Sequence, residues 1–185
     1  NAHTERTCVL DDIGDPRCWG AEWKDENIAA PTGLGFDQLS AGAYGSCGLV
    51  DGGEITCWGS WLGEALENVP SVGETWVHVD LGTKSACALG DTGALHCWGA
   101  TGDTIVSEAP ASGTYSNLGL GADHGCAIAS DFGQPGSVVC WGAEYGGRVG
   151  GAPSGADYTL VESGRYGSCA LTSSGGIDCW GGFDS

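Results

Sequence analysis

Five copies of one short block limit what this chain can fold into: TCVLDDIGDPRCWG (Thr7–Gly20), SCGLVDGGEITCWG (Ser46–Gly59), ACALGDTGALHCWG (Ala86–Gly99), GCAIASDFGQPGSVVCWG (Gly125–Gly142) and SCALTSSGGIDCWG (Ser168–Gly181). The closing glycines Gly20, Gly59, Gly99, Gly142 and Gly181 lie 39, 40, 43 and 39 residues apart. A period in this range marks a repeat architecture, in which a unit too small to bury its own apolar face stacks on its neighbours. Repeat scaffolds host many unrelated activities, so the pattern says more about fold than about function.

Each block reads as a β-hairpin, with alternating apolar residues on both sides of a turn rich in Gly and Asp. With Gly52 at the centre of its turn, Leu49 faces Ile55, Gly48 faces Thr56 and Cys47 faces Cys57. The same arithmetic pairs Cys8 with Cys18, Cys87 with Cys97 and Cys169 with Cys179. The fourth turn is longer by four residues, an even insertion that keeps the register, so Cys126 faces Cys140. Opposed residues in a non-hydrogen-bonded antiparallel pair have Cα atoms about 4.5 Å apart, at the short end of disulfide geometry. One rule therefore accounts for all ten cysteines, and no C-x-x-C pair of the zinc-binding kind occurs. The expectation is five intra-hairpin disulfides, no metal site and no cofactor. Paired cysteines in this number place the chain in an oxidising compartment, secreted or at a cell surface.

Alternation assigns the faces. Each first cysteine shares a side with the apolar residue two positions on (Leu10, Leu49, Leu89, Ile128, Leu171) and with Ile55, Leu95, Val138 and Ile177. Trp19, Trp58, Trp98, Trp141 and Trp180 point the other way. A hairpin apolar on both faces needs a neighbour on each, which is the situation of a blade in a propeller. Pro16 marks the second strand of the first copy as irregular or at an edge. Segments FDQLSAG (Phe36–Gly42), WVHVDLG (Trp76–Gly82), YSNLGLG (Tyr115–Gly121) and YTLVESG (Tyr158–Gly164) precede four of the hairpins and read as third strands. The connectors Ser60–Thr75, Ala100–Thr114 and Ala143–Asp157 read as surface loops, with one weak helical turn at Leu62–Asn68. The fold class is thus all-β: a propeller of five short, about three-stranded blades, each with an intra-hairpin disulfide. The repeats run about 1–35, 36–75, 76–114, 115–157 and 158–185 in a single domain. Residues before Thr7 look too few for a fifth such strand. That leaves open a longer protein, an oligomer, or a strand donated from elsewhere.

The charge balance removes some functions. Asp and Glu number 24 against six Lys and Arg, a net charge of −18. Such a surface repels phosphate backbones and anionic membranes, so nucleic acid is not an expected partner. No apolar run approaches the length of a membrane span. The chain begins at Asn1 and holds no methionine, which fits a mature secreted product or a segment of a longer one.

The pattern G-x-x-x-x-C-A-L…G…C-W-G resembles the repeat of the regulator of chromosome condensation family. Gly42–Gly59, Gly82–Gly99, Gly121–Gly142 and Gly164–Gly181 carry the resemblance, and Thr7–Gly20 carries half of it. The period near 40 looks more like the bacterial short-repeat branch that resembles β-lactamase inhibitory protein II. The family's usual Gly-Gln-Leu-Gly stretch after W-G is missing. The resemblance implies a propeller with three-stranded blades; it is specific for fold and weak for function.

Two sets of positions vary while the scaffold repeats. The first lies just before each cysteine-bearing strand: Glu5 and Arg6, Tyr44, Thr83 and Lys84, Asp123 and His124, Arg165 and Tyr166. These are expected to form one ring on one face. The second follows W-G: Trp23, Trp61, Tyr145 and Arg148. Aromatic and Arg side chains in exposed loops are the usual anchors of protein interfaces. They also fill gaps between blades. No G-x-S-x-G, H-E-x-x-H or phosphate-binding loop is present, so no catalytic residue is expected. The leading expectation is a non-catalytic module that binds another protein through one loop face. A lectin-like propeller that binds a glycan, and a structural subunit of an extracellular assembly, are the alternatives.

Overall fold

A computed structural model describes residues 2–3, 6–20, 30–42, 45–59, 69–70, 73–131 and 135–182. Among the described residues, fifteen strands form five antiparallel three-stranded sheets. The first blade holds β1 (Ala2–His3), β2 (Arg6–Leu10) and β3 (Pro16–Gly20); the second holds β4 (Phe36–Ala41), β5 (Gly45–Val50) and β6 (Glu54–Gly59). The third holds β7 (Trp76–Leu81), β8 (Ser85–Gly90) and β9 (Leu95–Gly99). The fourth holds β10 (Tyr115–Leu120), β11 (His124–Ala129) and β12 (Val138–Gly142), and the fifth β13 (Tyr158–Ser163), β14 (Gly167–Thr172) and β15 (Ile177–Gly181). Successive first strands β4, β7, β10 and β13 pack on one another, so they lie toward the hub, with the C-W-G strands outside.

All five hairpins adopt the expected register, each cysteine opposite its partner. The bridges Cys8–Cys18, Cys47–Cys57, Cys87–Cys97, Cys126–Cys140 and Cys169–Cys179 span Cα separations of 4.0–4.1 Å. Pro16 sits at the first residue of an outer strand, where a missing N–H breaks no ladder bond.

The first blade departs from expectation. Ala2 and His3 pair with Thr7 and Arg6, so the few residues ahead of the hairpin do form a third strand, but only a stub of one. A second departure is a bulge that recurs in every full inner strand, between Phe36 and Gln38, Trp76 and His78, Tyr115 and Asn117, and Tyr158 and Leu160. Each bulge re-aims the opening aromatic, and all four rings are buried.

The core lies between blades. The cysteine face of one blade packs on the tryptophan face of the next. Cys47 and Leu49 meet Trp76, Val79, Leu81 and Trp98. Cys87 and Leu89 meet Tyr115, Leu118, Leu120 and Trp141. Cys126 and Ile128 meet Tyr158, Val161 and Trp180. Burying side chains of this size contributes about 1.5–3 kcal/mol each.

Polar rungs tie the inner strands together as well. Gln38 accepts from the Val79 N–H (3.1 Å), and Asn117 accepts from the Val161 N–H (2.7 Å). Ser40 accepts from Leu81 N–H (3.1 Å), and Asp80 accepts from Leu120 N–H (2.7 Å). An inner strand has no ladder partner on its hub side, so its free N–H groups are satisfied by side chains of the preceding blade.

Candidate functional site

Four tight turns join inner to middle strands, each closed by a backbone bond: Gly42 N–H to Gly45 O, Gly82 to Ser85, Gly121 to His124 and Gly164 to Gly167, at 2.8–2.9 Å. The described residues at their tips are therefore 83–84, 122–123 and 165–166. The ring of variable positions maps onto these tips with one change of register. Thr83 and Lys84 lie at a tip, as do Asp123, Arg165 and Tyr166. His124 does not; it is the first residue of β11 and is fully buried. Its neighbour Ala122 takes the tip place instead. Glu5 and Tyr44 lie outside the described residues, and of Arg6 only the strand pairing is described.

The residues after W-G start beside the same tips. Ala100 N–H donates to Lys84 O (2.9 Å), and Ala143 N–H donates to Asp123 O (2.8 Å). From there the connectors turn inward rather than staying on the surface. In the third blade the connector forms a one-turn helix, α1 (Thr104–Ser107), capped by the Asp103 carboxylate accepting from Ile105 N–H (2.9 Å). Ile105 is fully buried, and its carbonyl accepts from the Trp141 indole N–H (2.9 Å). In the fourth blade the equivalent position, again six residues past the closing glycine, is Arg148. Its carbonyl accepts from the Trp180 indole N–H at the same 2.9 Å. Trp23, Trp61 and the Leu62–Asn68 turn lie outside the described residues.

Arg148 is 9% exposed, yet it is a guanidinium where the preceding blade has isoleucine. Its Nη1 meets the Asp123 carboxylate at 2.6 Å. The rings of Tyr145 and Tyr166 approach its charge from two directions, at 5.6 and 5.3 Å. Arg165 lies over Tyr166 at 5.2 Å. Contacts of this kind contribute about 0.5–1 kcal/mol where exposed and more where desolvated. The Glu144 carboxylate folds its own connector by accepting from the N–H groups of Gly150 (2.6 Å), Gly147 (2.8 Å) and Val149 (3.0 Å). Those donors, Gly150 first, hold its carboxyl below the usual range.

The two candidate sets therefore converge. Asp123, Arg165 and Tyr166 from the tips, with Tyr145 and Arg148 from the connector, form one cluster between the fourth and fifth blades. Tyr145 is 66% exposed and Tyr166 45%. Beneath them His124 Nε2 meets Ser168 Oγ at 2.9 Å, and Ser168 meets Ser163 Oγ at 2.8 Å. Asp123 Oδ1 is 3.8 Å from His124 Nδ1. The residue types match a Ser-His-Asp set, but Ser168 and His124 are sealed from solvent, and Ser168 lies where Ser46, Ala86 and Gly125 stand in other blades. Burial holds the His124 imidazole below its ordinary range. Lys84 and Arg165 are exposed and have no carboxylate within ion-pair distance among the described residues. Among those residues no group of three or more His, Cys, Asp or Glu is placed to hold a metal ion, and no helix is long and apolar enough to cross a membrane.

The fold is that of a disulfide-rich repeat propeller, similar to RCC1-type propellers. No protein-family model and no curated protein matches the sequence. Solved structures do. The ectodomain of the Physcomitrella patens receptor kinase CR4 is 25% identical, with a TM-score of 0.76 over 98% of this chain and 51% of that one. The CRINKLY WD40 ectodomain of the Arabidopsis thaliana receptor kinase ACR4 is 23% identical, with a TM-score of 0.75 over 97% of this chain and 61% of that one. Prp20p from Saccharomyces cerevisiae, whose binding to Gsp1p and histones has been described, is 16% identical, with a TM-score of 0.71 over 96% and 56%. The chain spans about half to three fifths of the length of these structures.

Proposed function

We propose that the chain is a secreted or cell-surface, non-catalytic module that recognises a protein partner through the turn rim between the fourth and fifth blades. The observation that carries this is the Tyr145–Arg148–Tyr166 stack. Two exposed tyrosines stack on a buried, ion-paired arginine, an arrangement that lowers the entropic cost of ordering them on a partner. Rigid aromatics on a fixed base are what interface hot spots are made of. Proteins of similar fold support the reading: two are receptor-kinase ectodomains, and one binds Gsp1p and histones. Five disulfides fit an oxidising compartment. The short period fits the bacterial branch of the repeat.

A photo-crosslinking residue at position 145 tests this, against a control at Ser130 on the opposite rim. The expected result is a discrete protein adduct from position 145 alone, lost on Tyr166→Ala. Equal labelling from both positions defeats the reading. Sugar-competed binding to a glycan array, without a protein adduct, replaces it with the lectin.

A further inference from the structure

Asp and Glu outnumber Lys and Arg by 24 to six, so a free cation is the exception on this surface. The few cations are also segregated. The hairpin turns from middle to outer strands carry exposed Asp12, Asp51, Asp91 and Asp131, one in each of the first four blades. Arg17 lies at that end, and Asp11 takes up its charge at 3.0 Å. The other cations whose side chains are described, Lys84, Arg148 and Arg165, lie at the opposite end, where inner strands turn into middle strands or just beside those turns. The turns there form a continuous arc. Thr83 N–H donates to Ala122 O at 3.3 Å, from the third blade to the fourth. Gly121 lies so close to the fifth blade that a Cβ on it would be 2.5 Å from Gly164 O. Lys84 stands at one end of the arc and Arg165 at the other. Asp123, between them, is already bound to Arg148 at 2.6 Å, and the Glu144 carboxylate is occupied by N–H groups of its own connector. Lys84 and Arg165 are exposed, and among the described residues neither has a carboxylate within ion-pair distance. The Arg165 guanidinium rests over the Tyr166 ring, which Arg148 meets as well. Stacking of this kind leaves the guanidinium edge, with its fork of N–H donors, open to a planar carboxylate.

Resting on the protein-binding reading of this rim, we propose that the arc from Lys84 to Arg165 takes a carboxylate-rich segment of the partner. One carboxylate pairs edge-on with Arg165 beside Tyr145 and Tyr166, and a second pairs with Lys84. The net charge of −18 does not forbid this. At physiological salt the Debye length is about 8 Å, whereas a strand of five or six residues holds the acidic turns about 17–20 Å away. Their repulsion is therefore largely screened at the arc, while a pair formed in contact is not. A basic segment would meet two uncompensated positive charges here and finds its complement on the far rim instead.

The test titrates an end-capped hexaglutamate peptide into the isotope-labelled chain at about 0.15 M salt, read by amide shifts, with hexalysine as the control. Shifts are expected to cluster at Lys84, Ala122, Asp123, Arg165 and Tyr166. Arg165→Gln should weaken binding about tenfold and Lys84→Gln about threefold. Arg165→Lys keeps the charge but loses the fork, and should also weaken binding about threefold. Arg17→Gln should change nothing. Each variant should melt within about 2 °C of the parent, as exposed substitutions do. Hexaglutamate without effect at the arc overturns the proposal. So does binding undiminished in the Lys84→Gln, Arg165→Gln double variant, or stronger binding of hexalysine there. A sulfated oligosaccharide that shifts the arc where hexaglutamate does not makes a glycan the ligand, and overturns it too. The photo-crosslink at position 145 separates this from the broader reading. An adduct that forms unchanged in the double variant removes the acidic segment and keeps the protein partner. Hexaglutamate binding without any adduct keeps the carboxylate preference and removes the partner.

Discussion

Arg148 shows how one residue joins scaffold to site. It fills the inter-blade position that Ile105 fills one repeat earlier, and its charge is met by Asp123, which is 43% exposed on its side chain. A buried pair replaced whole by well-packed apolar groups is often neutral, and losing one member is costly mainly where the other is left buried, which the part-exposed Asp123 is not. Arg148→Ile is therefore expected to keep stability within about 1 kcal/mol by urea titration, while the binding proposed through Tyr145 and Tyr166 should weaken. Arg148→Ala leaves a cavity and should lose about 2 kcal/mol. Asp123→Ala strands a guanidinium and should lose about 3 kcal/mol. His124 sets the pH response at the same place. Burial depresses its folded pKa below 6.5, and His78 is depressed in the same way. Around pH 6.5 the unfolded chain thus binds more protons than the folded one, so stability rises with pH there and is lost as pH falls through that range. His124→Gln should flatten the fall in urea midpoint between about pH 7 and 5; an unchanged slope would assign it elsewhere. The groups facing His124 are Asp123, Arg148 and Glu144, of which the two carboxylates oppose the depression and Arg148 adds to it.

At the scale of elements, the turns and bridges decide how blades stack. A Cβ on Gly121 would meet the His124 ring and lie 2.5 Å from Gly164 O, while one on Gly82 would lie 3.1 Å from Gly121 O. Hub turns approach this closely because the position carries no side chain. Gly121→Ala should cost about 3 kcal/mol through overpacking, read as a lower urea midpoint. The same change at Gly102 meets no neighbour, but φ there is +83°, so it costs backbone strain alone. The disulfides divide by position rather than by chemistry. Cys18 and Cys179 are exposed, on the two end blades, whereas every cysteine of the three inner blades is buried or half-buried. Under mild native reduction Cys8–Cys18 and Cys169–Cys179 should open first, seen by alkylation and mass mapping, with the three inner bridges slower.

For the whole molecule, stability is a chain of neighbour interfaces. The first blade meets the second, the second the third, and so on to the fifth, and among the described residues no extensive contact returns from fifth to first. Stability should then behave as a sum of interface terms, with the ends fraying before the centre. Hydrogen exchange is expected to be slowest in β8 and β11 and fastest in β2 and β15. The net charge of −18 acts on the same scale, because self-repulsion opposes the compact state. About 0.5 M NaCl should raise the melting temperature, since the Debye length falls below about 5 Å. A melting point indifferent to salt would mean the carboxylates are locally compensated.

Sequence alone determined the repeat, the hairpin register, all five cysteine pairs and which face carries tryptophan. Each follows from local arithmetic of period two within a strand and period 40 along the chain. It also offered Asp123, Arg165, Tyr166, Tyr145 and Arg148 as candidates, but as members of two separate sets. What joins them is tertiary: the connector after Gly142 starts at the Asp123 tip and passes beneath Trp180 at Arg148, so a residue six places past W-G reaches the next blade's turn. The one-residue misplacement of His124 has a related cause. The turn closes from Gly121 to His124, and only the backbone bond shows that His124 already belongs to the strand. The short strand Ala2–His3 carries too little pattern to read, and Ile105 and Arg148 share no residue type that would reveal a common plug. Such positions are set by the shape of the gap between blades, and that gap exists only once the blades have packed.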